Sequence, residues 1–258
     1  MDVSNKTKVL IILTDGMHPD ALKGIEKAEN FIRESASTLQ GRSVMPSDTL
    51  PCHMSLFKSV PPELHKCKSN SYTKPDKDYR TICDVLSHRD LKCAMLYSWE
   101  QLRDINRPND IAFSCYINEE MYGYKETVHK LTDKAIELLR EDICDFIFLH
   151  YDLIDEMGHH NGWLSDEYID AVEYIWDEIY KVLEHTDDNT TVFVLSDHCG
   201  HEHDHGDECD TLIPVMIKGK SFEKGSALKD VSIMDIAPTV AKLFGIPSDP
   251  EWNGKALF

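Results

Sequence analysis

Short apolar runs alternate along the chain with longer stretches in which apolar residues recur every three or four positions. A run of four to six apolar residues closed by a polar one predicts a buried parallel strand, because such strands are covered on both faces. Lys8–Thr14 (KVLIILT) and the segments 92–97, 145–150, 192–195 and 213–217 have this form. Helical spacing predicts helices over 20–35, 79–88, 128–140 and 165–185, the last opened by Ser165 as cap with Asp166 and Glu167 in its first turn. A further helix is expected to begin near Thr49, where Leu50-Pro51 follows, and to stop at Pro61-Pro62. Another ends near Phe244 with Gly245 as its stop. Segment 63–78 reads as loop, and 103–116 shows no clear period. Strands and helices alternate without a repeat or a convincing linker. The pattern therefore predicts one α/β domain with a doubly wound, mostly parallel sheet flanked by helices.

Charge changes the picture of partners. The 258 residues carry 46 Asp and Glu against 27 Lys and Arg, a formal net charge of −19. Such a surface repels nucleic-acid backbone and anionic membrane, so neither is expected as a partner. It also repels a phosphorylated substrate unless bound cations reverse the sign locally. No apolar run approaches the ~18–20 residues of a membrane span. The N-terminal apolar run, 9–13, is too short for a signal peptide, and Asp15 follows it closely. The eight cysteines are scattered and include no C-x-x-C pair, so reduced thiols in a cytoplasmic protein are expected.

Candidate chemistry is densest at 192–206, VFVLSDHCGHEHDHG. A strand there delivers Asp197 and His198 at its C-terminal end, and His201, His203 and His205 follow. Ligands in open α/β sheets sit outside the carboxyl ends of the strands. Carboxylate plus imidazole suits Zn²⁺, Mn²⁺ or Fe. The alternative is a solvated loop rich in histidine. Asp15 ends the first strand, where the ordinary role is a turn. Asp155 and His159 are four apart, on one face of a helical turn or beside a bend at Gly158. Thr49 is either a helix cap or a hydroxyl nucleophile beside the positive helix end. His53 and Ser55 read as helix residues, and Asn70 as a turn residue. All the candidates fall after strands or at helix starts, so this architecture can bring them to one edge.

In order along the chain, ILTDG, SDTLPCHMSLFKSVPPELH, DLIDEMGHHNG, LSDHCGHEHDHG and MDIAPTVAKLFGIP resemble the alkaline phosphatase superfamily, and within it the nucleotide pyrophosphatase/phosphodiesterase branch. The second segment is similar to the family's Thr-x-Pro-x-His nucleophile segment. The resemblance implies an alkaline phosphatase-like core and one metal-dependent phosphohydrolase domain over 1–258. It implies two divalent cations, Zn²⁺ first, with Mn²⁺ or Fe as alternatives. One would be held by Asp15, Asp197, His198 and the Thr49 hydroxyl, the other by Asp155, His159 and His205. His205 is preferred over His203 and His201 because His-Gly followed shortly by Ile-Pro matches the family's downstream ligand. Asn70 falls where an Asn donates to a phosphoryl oxygen.

Two residues depart from the family pattern. Leu50 stands where nucleotide-cleaving relatives often carry an aromatic residue, and Cys199 replaces the Gly of Asp-His-Gly. No Cys/Ser-x-Pro-x-Arg context of a sulfatase surrounds Thr49, and the second domain of a cofactor-independent phosphoglycerate mutase is not expected in this chain. The expected activity is cleavage of phosphate diesters or nucleotide pyrophosphates by a metal-activated Thr49, on a small phosphorylated substrate such as a nucleotide. The competing expectations are a phosphomonoesterase or phosphonate hydrolase on the same site, and a catalytically silent metal- or partner-binding domain.

Overall fold

The computed structural model describes residues 6–258. Its seven strands are β1 (Lys8–Thr14), β2 (Ala36–Arg42), β3 (Cys93–Tyr97), β4 (Phe113–Tyr116), β5 (Phe146–Tyr151), β6 (Thr190–Leu195) and β7 (Leu212–Lys218). Its helices are α1 (Glu26–Glu34), α2 (Thr49–Lys58), α3 (Pro62–His65), α4 (Ile82–Ser87), α5 (Glu119–Tyr122), α6 (Tyr124–Glu141), α7 (Leu153–Asn161), α8 (Asp166–Leu183) and α9 (Ile236–Leu243). The strands form one sheet in the order β2-β7-β6-β1-β5-β3-β4. β7 runs antiparallel to both of its neighbours, and the other pairings are parallel. The expected mostly parallel α/β sheet flanked by helices is the observed one.

Alternation along the central strand builds two cores. Val9, Ile11 and Leu13 of β1 face one apolar cluster, with α2, α4 and α9. Leu10 and Ile12 face the other, with α1, α6 and α8. β1 lies between β5 and β6, so the carboxyl ends of three adjacent parallel strands open side by side. Asp15 follows β1, Asp152 and Asp155 follow β5, and Asp197 and His198 follow β6. Where strand order diverges from a central strand, the connections leave to opposite sides and a crevice opens at the strand ends.

The structure departs from the expected elements in several places. The helix expected over 20–35 is split into a 3-10 turn, Pro19–Leu22, and α1. Lys23 is extended and Gly24 has φ +83°, which an uninterrupted helix does not tolerate. Segment 36–42, not anticipated as an element, is edge strand β2. One helical turn, α3, stands at the start of the expected 63–78 loop, with Pro at its N-terminus. The 79–88 helix shortens to α4, where the Thr81 side chain accepts from the Asp84 N–H. Segment 103–116 contains a 3-10 turn, Pro108–Asp110, and edge strand β4.

Candidate metal centre

Thr49 is the first residue of α2, and its hydroxyl does not cap the helix. Asp48 occupies the cap position without a side-chain cap bond. Thr49 is 4% exposed, and its Oγ1 lies 3.3 Å from His198 Nε2. The same Nε2 lies 3.2 Å from Asp15 Oδ1 and 3.5 Å from Asp197 Oδ2. Three buried polar groups thus surround one imidazole nitrogen. The backbone N–H of Leu50 donates to Asn70 Oδ1 at 3.0 Å, which fixes Asn70 beside the start of α2 and leaves its amide group as a donor.

A second set stands beside the first. α7 carries Asp155 and His159 on one face, with His159 Nε2 3.3 Å from Asp155 Oδ2. The 201–206 loop returns His205 to Asp155, with Nε2 4.0 Å from Oδ1. The His205 ring stacks on His198 at 4.0 Å between centroids, which joins the two sets. His201 is turned away, with Nδ1 2.9 Å from Asp210 Oδ1. His203 is exposed, with Nδ1 3.2 Å from the His159 carbonyl. Of the three loop histidines, His205 is the one brought among the other candidates.

The donor set fits divalent cations on two independent grounds. Asp15 Oδ1, Asp155 Oδ1 and Asp197 Oδ2 are buried and make no hydrogen bond. Their neighbours are the imidazole nitrogens of His198, His53 and His205, at 3.2, 3.3 and 4.0 Å, and a buried carboxylate oxygen without a formed hydrogen bond is costly, a cost that a coordinated cation removes. The Nδ1 atoms of His198, His159 and His205 lie 2.9–3.0 Å from the carbonyls of Cys199, His203 and Ser47. An imidazole whose Nδ1–H donates to a carbonyl presents its Nε2 lone pair to a metal.

Electrostatics point the same way. Burial, followed by the charge of Asp197, pushes Asp15 up to about 7. Burial also acts to raise Asp197, but His198 and His53 outweigh it and hold that carboxyl below the usual range. His198 is held well above the ordinary imidazole value, because Asp197 and Asp15 overcome its burial. The hydrogen bond to Asp155 raises His159 to about 9. Protons thus gather where acids are crowded without enough fixed positive charge.

Tight packing explains the glycines of these motifs. Gly16 has φ +66°, and a Cβ there would fall 2.5 Å from Asp155 Oδ1. A Cβ on Gly158 or Gly200 would strike the Trp163 ring at 2.6 and 2.3 Å. Trp163 Nε1 and the Tyr168 hydroxyl both donate to the Gly16 carbonyl, at 2.9 and 2.7 Å. Cys199 is buried, its φ is not positive, and its N–H donates to the Asp210 carbonyl, so a side chain is accommodated there.

Two residues escaped the sequence reading. His150 Nε2 lies 2.9 Å from Asp15 Oδ2 and holds that carboxylate. His53 is a helix residue as expected, but its Nδ1 lies 2.8 Å from the Thr49 carbonyl and 3.3 Å from Asp197 Oδ2. A polar residue at the carboxyl end of an apolar strand was the available signal for His150. The i, i+4 spacing from Thr49 was the signal for His53.

The chain matches the family described as Type I phosphodiesterase / nucleotide pyrophosphatase over residues 9–248. Among curated proteins it is similar to 2,3-bisphosphoglycerate-independent phosphoglycerate mutases. The relative from Antithamnion sp. is 29% identical over 141 residues, 51% of this chain and 27% of that protein. The relative from Desulforudis audaxviator is 34% identical over 125 residues, 44% of this chain and 23% of that protein. The chain therefore spans about a quarter of the length of these relatives. Its fold is similar to murine ectonucleotide pyrophosphatase/phosphodiesterase 5, solved as an inactive form in complex with AMP, with TM-score 0.79, 13% identity and coverage of 97% of this chain and 98% of that one. It is also similar to a protein of the alkaline phosphatase superfamily from Vibrio parahaemolyticus, with TM-score 0.70, 15% identity and coverage of 98% and 70%. On its sequence match across nearly the whole chain, the protein belongs to the type I phosphodiesterase/nucleotide pyrophosphatase family.

Proposed function

We propose that the protein is a two-metal phosphodiesterase that cleaves phosphate diesters or nucleotide pyrophosphates with Thr49 as nucleophile. The observation that carries the reading is the Thr49 hydroxyl, free of any capping bond and 3.3 Å from His198 Nε2 beside three carboxylates with buried oxygens that make no hydrogen bond. Asp15, Asp197, His198 and Thr49 would hold one cation, and Asp155, His159 and His205 the other. Bound divalent cations, Zn²⁺ first and Mn²⁺ or Fe as alternatives, supply positive charge that draws in a phosphate, lowers the pKa of the hydroxyl and stabilises attacking and leaving oxygens.

The chain's own groups define the rest. Thr49 Oγ1 attacks phosphorus and its proton passes to solvent water, while the ester oxygen opposite departs with the electron pair of the P–O bond and takes up a proton from water. The product of that step is a phosphothreonine ester. Water then attacks the same phosphorus from the side the leaving group vacated and returns Thr49 to its hydroxyl form. The Asn70 amide donates to an equatorial oxygen as charge builds in each step. His53 and His150 keep Asp197 and Asp15 in place throughout.

The test is a panel of chromogenic mono- and diesters offered to protein reconstituted with Zn²⁺ or Mn²⁺. Diester turnover that is lost on chelation and restored by metal is the expected result. Exclusive monoester turnover would replace this reading with a phosphomonoesterase. Two bound metals with no turnover of any ester would favour a silent binding domain.

A further inference from the structure

A separate group of metal-binding side chains closes the turn that carries His205. His201 Nδ1 lies 2.9 Å from Asp210 Oδ1. Cys209 Sγ lies 3.8 Å from that nitrogen and 3.5 Å from that oxygen. An imidazole nitrogen, a thiol and a carboxylate oxygen thus form a compact triangle. A tetrahedral zinc, with bonds of ~2.0–2.2 Å to N and O and ~2.3 Å to S, spaces its donors about 3.3–3.6 Å apart. The two edges that include sulfur are close to that spacing. The shorter edge is a hydrogen bond, which would widen when a cation takes the place of its proton.

The surroundings hold these donors in place. Asp210 is 1% exposed, and its other oxygen, Oδ2, accepts from the Asp207 N–H at 2.9 Å. The backbones of His201 and Asp204 pair in both directions. Asp207 Oδ2 lies 3.7 Å from His201 Nε2, and a carboxylate behind an imidazole is what orients metal-binding histidines. Cys209 and Asp210 share a 3-10 turn, Glu208–Thr211, closed by a capping box. A surface His-Asp pair needs no sulfur, yet Cys209 is exposed beside it, whereas the other cysteines are buried or half-buried. The exposed His201 ring and Cys209 thiol leave a fourth position open to water.

We propose that His201, Cys209 and Asp210 bind a third divalent cation, zinc by their chemistry, at the surface of the protein. The site stands apart from the phosphodiesterase reading and does not depend on it. A thiolate donor selects zinc or cobalt over manganese. Binding sends the proton shared by His201 and Asp210, and the thiol proton of Cys209, to water. Because protons must be displaced and two donors are exposed, this site fills after the two sets of the centre. The cation ties the start of the 201–210 turn to its end, and that turn presents His205 to Asp155. It therefore steadies the outer set without touching substrate.

The experiment titrates full-length, metal-free protein with Co²⁺. The two sets of the centre contain no cysteine, so a thiolate-to-cobalt charge-transfer band in the near ultraviolet reports the third site alone. The band should grow mainly after the second equivalent and be absent from Cys209→Ser. His201→Ala should weaken cobalt at this site ~10-fold or more, since it removes a ligand. The thiol gives an independent readout. Labelling of Cys209 by an aromatic disulfide reagent should slow about tenfold or more once a third equivalent of Zn²⁺ is present, and Mn²⁺ should not slow it. The same third equivalent should raise the Tm of wild type and leave that of Cys209→Ser unchanged. Cys209→Ser loaded with two equivalents should keep turnover within about threefold. No band at three equivalents, a band that survives Cys209→Ser, or labelling indifferent to Zn²⁺ would overturn the site.

Discussion

The Asp15–Asp197–His198 set and the Asp155–His159–His205 set lie side by side but are built differently. The first is fully buried and stands at the ends of neighbouring strands β1 and β6, whose register is fixed by the core. Its carboxylates are braced from behind by His150 and His53. The second hangs on a helix and a loop. The His159 side chain is 35% exposed, and His205 reaches Asp155 at 4.0 Å. Elements of the sheet set positions rigidly, whereas loops reach their geometry through a few polar contacts and open more easily. The comparison predicts an inner cation that binds tightly and an outer one that exchanges.

The largest effect should come from the inner set. Asp197→Asn removes a carboxylate that touches His198 and His53, and should lose one cation and about 1000-fold in turnover, the equivalent of several kcal/mol of charge stabilisation. Metal analysis and kcat on one diester check it. Two cations retained with turnover within tenfold (about 1.4 kcal/mol) would break the distinction between the sets.

In the outer set, His205→Ala should release one cation while the other stays, and should cost turnover by more than the ~10–100-fold typical of losing a residue behind a metal ligand. His201→Ala should change turnover less than about threefold, because its half-exposed ring pairs with the buried Asp210, away from the other candidates. The reverse order would move the ligand from His205 to His201. Between these limits, His53→Gln should cost ~10–100-fold in inner-cation affinity with the ligands themselves intact. Competition with a graded series of chelators reads that number, and an unchanged affinity would mean that His53 only packs.

The smallest effect is on stability against pH. Burial and the Asp197 charge lift Asp15 from 3.8 to about 7, burial lifts Glu119 from 4.5 to about 7, and the Asp155 hydrogen bond lifts His159 from 6.5 to about 9. Each group binds its proton more tightly in the folded chain. Each contribution is therefore full below the unfolded value and is lost as pH rises through the folded one. Metal-free protein in chelator should lose Tm steadily from about pH 5 to about pH 9, and cations, which displace those protons, should restore more of it at the upper end. Calorimetry at several pH values reads this directly, and a metal-free Tm that rises with pH would contradict it.

What was legible in the chain follows from burial. β1, β5 and β6 are covered on both faces, so their apolar runs stand out, and the residues that end them were visible as candidates. β2 and β4 are edge strands with half-exposed positions, ASTLQGR and FSCY, and neither shows a hydrophobic run. The break at Gly24 left the helical spacing around it intact, so one helix was expected where two short elements stand. At the site, motif order brought Thr49, Asp155 and Asp197 into consideration together. It could not reveal His150, whose contact with Asp15 depends on β5 lying beside β1 with Leu13 opposite His150. Nor could spacing show that His201 would be caught by Asp210, because that contact depends on how the 201–210 loop folds.

The central claim is that Thr49 is the nucleophile, and kcat of Thr49→Ala tests it most directly. Wild type, Thr49→Ala and Thr49→Ser are loaded with metal, checked for two cations each, and assayed on one diester. The account predicts that Thr49→Ala keeps its fold and cations yet loses most of its turnover, with a residue of rate from the rest of the site. Thr49→Ser, which supplies the same oxygen, should retain activity. Near-normal kcat in fully metallated Thr49→Ala would contradict the account and assign the attack on phosphorus directly to water.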